Sequence, residues 1–147
     1  MGRTILAVVI SYVIMLVLAF LGFACAFVAF GSEVVFRAGT YEASTTWIAI
    51  AFVINIIDAV IGGFICALIA QRGKAQFALA IVVIVLGLLV AFADTKKREA
   101  NAGLVRAAET SKMEAIQKAY WPVWVPFAFP FTGAAGVLIG GRLKRGS

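Results

Sequence analysis

The chain has 147 residues, 63% of them hydrophobic and 14% charged, with 13 Lys and Arg against 7 Asp and Glu for a net charge of +6. Soluble domains carry about 25% charged residues, so this composition excludes an ordinary soluble domain and predicts an integral membrane protein. There is no histidine, which removes the commonest zinc ligand, the usual haem ligand and the usual neutral-pH acid or base, so no metal, no cofactor and no enzymatic activity are expected. A bound lipid or pigment that needs no histidine stays compatible with the composition.

The apolar residues gather in four blocks rather than alternating, which disfavours a β-barrel with its two-residue period. The expected fold class is therefore an all-α membrane protein, four transmembrane helices in a bundle forming a single domain. The basic residues sit at the ends of the apolar blocks, where they act as topology signals and contacts for anionic headgroups. The bilayer is the expected partner, and nucleic acid is not.

The first helix is expected over about residues 4–30. Its apolar run, 5–30, is 26 residues long, beyond the roughly 7 to 15 of a cleaved signal core, so it should span. Ser11 and Tyr12 read as interface residues near its inner end. A connection over 31–46 follows, with Glu33, Arg37 and Glu42, and Ser44, Thr45 or Thr46 can cap the next helix before Trp47 anchors it.

The second helix, about 46–70, carries a single carboxylate, Asp58, near its centre. At 3.6 residues per turn Ala51, Asn55, Asp58, Gly62 and Cys66 share one face, and Ile50, Ile54, Ile57, Ile61, Phe64 and Leu68 the other. The small, polar face should meet other helices and the branched face should meet lipid. An antiparallel hairpin would place Cys25 and Cys66 near opposite surfaces, too far apart for a bridge that needs Cα atoms at about 6 Å.

A tight basic turn is expected at 71–74, then a third helix over about 75–93 whose apolar core of 17 residues is the shortest of the four, with Asp94 closing it. Residues 95–120 form a short extramembrane helical segment, rich in Ala, Glu, Lys and Arg, that Asn101 and Gly103 should interrupt. Ser111 with Glu114 matches a capping box and Glu114 with Lys118 a favourable i,i+4 pair, predicting a short helix over about 112–120 in a solvated connector.

The fourth helix, about 121–142, opens with Pro122, Pro126 and Pro130, which should bend or unwind its first half. Gly136 and Gly140 then have the spacing that lets two helices approach closely, as do Gly62 and Gly63 on the second helix, so all four are assigned to helix packing. Overlaying Trp47 on Trp124 gives five identities over seventeen ungapped positions, including Phe52 with Phe129 and Gly63 with Gly140. Two repeated helical hairpins and four unrelated helices both fit that pattern.

Arg3, Arg72, Lys74, Arg142, Lys144 and Arg145 lie on one side of such a topology against Arg37 in the first loop. The third loop opposes them with six basic residues, diluted by Asp94, Glu99, Glu109 and Glu114. The expected placement is a bacterial inner membrane with both termini cytoplasmic.

A charged aspartate at the centre of a span costs roughly 3 kcal/mol, so Asp58 should be protonated, paired or wet. Thr132 falls at the same depth and Asn55 one turn away, giving a candidate intramembrane site of Asp58, Asn55 and Thr132. No nucleophile, phosphate loop or metal cluster appears. The expected function is an accessory or structural subunit of a larger membrane complex, or a homo-oligomer, with other membrane subunits or copies of itself as partners. The alternative is a proton- or cation-coupled small transporter or channel centred on Asp58.

Overall fold

The computed structural model describes residues 1–71 and 74–146. Six helices follow one another: α1 (Gly2–Phe30), α2 (Ser32–Val35), α3 (Thr45–Ala70), α4 (Lys74–Asn101), α5 (Lys112–Lys118) and α6 (Trp124–Gly146). Among the described residues no strand forms beyond two isolated bridges, Phe36 with Ala43 and Glu42 with Tyr120, so the chain is all-α. Four helices, α1, α3, α4 and α6, with 29, 26, 28 and 23 residues, are long and apolar enough to cross a membrane. At about 1.5 Å per residue even the shortest covers the roughly 30 Å of a hydrocarbon core.

The close approaches at glycines fix the helix directions. Gly22 of α1 backs onto Ile54 and Gly62 of α3 onto Met15, so α1 and α3 run antiparallel; Gly87 meets Pro130 and Gly133 meets Val83, so α4 and α6 do too. In α3 and α6 the numbers rise together, with Gly63 against the Val137 carbonyl and Gly140 against the Val60 carbonyl, which makes that pair parallel. The two chain ends therefore share one end of the molecule, where Arg3 Nε donates to the Ile69 carbonyl in the last turn of α3 at 2.9 Å. The connections between α1 and α3 and between α4 and α6 form a cap at the other end.

The α3–α6 contact is the most extensive, followed by α4 on α6 and α1 on α3. Gly63, Gly136 and Gly140 are all spent inside it, and Gly62 makes room for Met15. Asn55 and Thr132, bonded to each other, are 77 residues apart, the same spacing at which Trp47 overlays Trp124. The rings of Phe52 and Phe129, equally spaced, lie 4.8 Å apart. Gly63 on Val137 and Gly140 on Val60 are crossed members of two further aligned pairs. Contacts between equivalent positions are what two like helices make across a local two-fold axis.

Two elements differ from the sequence expectation. The third helix does not close at Asp94 but continues through Lys96, Lys97, Arg98 and Glu99 to Asn101, because those residues favour helix as strongly as the apolar stretch before them. Of the three prolines only Pro130 lies in α6 beyond its first turn. Pro122 precedes the helix and Pro126 falls in its first turn, where the missing N–H has no partner to lose, so the helix runs on without unwinding. Of the basic turn expected at 71–74, Arg72 and Gly73 lie outside the described residues.

The cap has its own apolar cluster, in which Val35, Phe36, Tyr41 and Ala43 pack with Trp47, Ala115, Tyr120 and Val125. Gly31, at φ 74°, turns the chain out of α1, a backbone region glycine enters without penalty. Ser44 caps α3, its hydroxyl accepting from Trp47 N–H at 3.1 Å and donating to the Val34 carbonyl. Ser111 caps α5 by accepting from Glu114 N–H at 3.2 Å, while the Glu114 carboxylate turns away to Lys118 at 2.7 Å.

Candidate functional site

The site predicted on α3 and α6 is half assembled. Asn55 Nδ2 donates to Thr132 Oγ1 at 2.9 Å and to the Phe129 carbonyl at 3.3 Å. The Thr132 hydroxyl in turn donates back into its own helix, to the carbonyls of Ala128 or Phe129 at 3.2 and 3.1 Å. Room for this comes from Gly133, where a methyl group would sit 3.6 Å from Asn55 Oδ1 and 3.2 Å from Val83 Cγ1. Two polar side chains thereby satisfy each other across a helix pair, the arrangement that costs least in an apolar surrounding.

Asp58 does not join them. It lies one turn further along α3, buried with 7% of its surface exposed, and its Oδ1 has no hydrogen-bond partner. The ion pairs of Arg37 with Glu42, Arg106 with Glu33 and Lys118 with Glu114 lie in the cap, and among the described residues none is made by Asp58, so no cation compensates it. A buried carboxyl in that position requires a proton or a partner from outside the chain, because an isolated buried charge costs several kcal/mol, roughly.

Two further buried polar groups accompany it. Ser11 does not face outward as an interface residue would: it is fully buried, its hydroxyl against the Cys66 thiol. The signal was present in the sequence, since Ala7, Ser11 and Met15 recur every four residues and are the buried residues of α1. Gln76, near the start of α4, is buried against Gly141 with Oε1 unpartnered, and no periodicity marks it out. Met15 of α1 packs over Gly62 of α3, between the level of Asp58 and that of Cys66. Cys25 is exposed and Cys66 buried, both as free thiols.

The residue that sequence reasoning missed altogether is Arg106. Its side chain is only 7% exposed and reaches Glu33, 82% exposed, at 3.3 Å. Nε also donates to the Thr40 carbonyl at 3.0 Å, the backbone N–H to the Gly39 carbonyl at 2.9 Å, and the guanidinium lies 5.4 Å from the Phe36 ring centroid. One side chain thus clamps the two cap connections together through charge-assisted bonds and a cation–π contact. Nearby, burial and then the Glu42 carboxylate push the Tyr120 phenol above its ordinary 10.0, so it stays neutral.

These features define a class: an all-helical protein with four helices long and apolar enough for a membrane, joined at one end by a folded cap. No family model matches the chain, and it resembles none of the curated proteins or solved structures with which it was compared.

Proposed function

We propose that this is a multi-pass membrane protein whose four long helices cross the bilayer as a bundle of two repeated hairpins, and that it works as an accessory or structural subunit of a membrane assembly. The observation that carries this reading is the unequal use of the helices. The central α3 and α6 bury long faces in each other, whereas α1 buries only Ala7, Ser11 and Met15 and leaves Ile5, Leu6, Val9, Val13, Leu16 and Phe20 outward. Such a surface suits acyl chains and partner helices alike. The packing glycines are occupied within the chain, so a partner would meet branched and aromatic side chains on α1 or α4. The placement that fits the basic residues is a bacterial inner membrane with both termini in the cytoplasm. Gentle solubilisation followed by mass measurement tests the assembly: the reading expects co-purification in fixed ratio with foreign subunits or a defined homo-oligomer, and a bare monomer would contradict it.

A second reading, proton or cation transport through Asp58, is favoured by one observation: the buried Asp58 Oδ1 has no partner, whereas Asn55 and Thr132 already supply the helix tie that a purely structural acid would provide. Proton flux into liposomes holding the pure protein, abolished in Asp58→Asn, is its expected outcome, and equal flux in both would overturn it.

A further inference from the structure

Beneath the cap, against the cap-end half of α1 and with α4 contributing only Asp94 and Lys97, lies an apolar groove of about 630 Å3, within the roughly 300 to 1,000 Å3 of small-molecule sites. Phe20, Phe27 and Val28 of α1 form one wall, and Phe36, Ile116 and Tyr120 of the cap form the other. Phe20 and Val28 are also among the most exposed apolar residues of α1, so the groove opens on the face that would meet acyl chains. In this apolar lining stand two opposite charges one helical turn apart, Asp94 and Lys97. They are close enough to attract, yet among the described residues no ion pair closes between them. An apolar groove whose lining holds one anion and one cation together with Trp47 and Tyr120 suits an amphiphile with a zwitterionic head.

We propose that this groove is a binding site for a zwitterionic phospholipid, one acyl chain lying along α1 beneath the cap, the phosphate on Lys97 and the headgroup amine on Asp94. A wholly apolar ligand would leave both charges unused, and a simple anion would meet Asp94 as a repulsive neighbour. The inference rests on the reading that the chain is membrane-embedded, which resistance to alkaline extraction of membranes tests on its own. The test of the site is native mass spectrometry of full-length protein, delipidated in mild detergent and titrated with phosphatidylethanolamine or phosphatidylglycerol. The expected result is one bound phosphatidylethanolamine, held more tightly than phosphatidylglycerol. Lys97→Gln should weaken it about fivefold, and Ala24→Trp, which fills the groove from an exposed position, should abolish it. Lys112→Ala, outside the groove, should change nothing. No retained lipid, equal retention by Lys97→Gln, or a preference for phosphatidylglycerol would overturn the proposal.

Discussion

Arg106 holds the cap by four contacts that reach Glu33, Phe36, Gly39 and Thr40, 66 to 73 residues away by its side-chain bonds. Because charge-assisted bonds are worth about 1.5–3 kcal/mol each and the Glu33 end is solvent-exposed, Arg106→Ala should destabilise the cap by about 2 kcal/mol. Proteolysis within residues 102–111 would report it as faster nicking, while Lys112→Ala should leave the rate unchanged. Ser44→Ala, which removes the α3 cap, should cost about 1 kcal/mol, read as a lower midpoint in thermal unfolding. The two residues differ in how far a sequence discloses them. A serine before a tryptophan-led apolar run announces a helix start locally, whereas nothing near Arg106 indicates which distant carbonyls it will meet. Asp58 stands between these cases: its depth and burial follow from helical spacing, but its lack of a partner depends on where Asn55 and Thr132 direct their own hydrogen bonds.

Helices α3 and α6 stay together because glycine lets backbone meet backbone. A methyl on Gly63 would overlap the Val137 carbonyl, and one on Gly140 the Val60 carbonyl. Gly63→Ala and Gly140→Ala should each cost about 1–3 kcal/mol, as overpacking of a close contact does. Gly103→Ala, where a methyl meets nothing within 4 Å, should cost no stability by crowding. Unfolding in mixed micelles measures all three, and an unperturbed Gly63→Ala would contradict the close approach. The existence of the long helices is legible from four apolar blocks, and the starts of α3 and of the short α5 from Ser44 and Ser111. Their ends are less so. Hydropathy stops at Asp94, but hydrogen bonding continues while the residues favour helix, so α4 outruns its apolar core as far as Asn101. The prolines likewise do not unwind α6, which is continuous through Pro130, and Pro126 in its first turn removes a donor that had no acceptor.

At the scale of the whole molecule, two long hairpins meet through α3 and α6, with the cap clasped at one end and the chain termini at the other. Seventeen aligned positions hint at that relation, and the contacts at 77-residue spacing give it physical form. Function is the least legible level, since a bilayer-facing surface and a partner-facing surface have the same composition. The fourfold crossing itself is tested most directly by side-selective labelling. With Cys25 and Cys66 replaced by alanine, Thr110→Cys in the cap should react with a membrane-impermeant thiol reagent from outside intact cells. Gly146→Cys at the end of α6 should react only after the membrane is opened. Reaction of both positions from the same side would contradict four crossings with the cap and the termini on opposite faces.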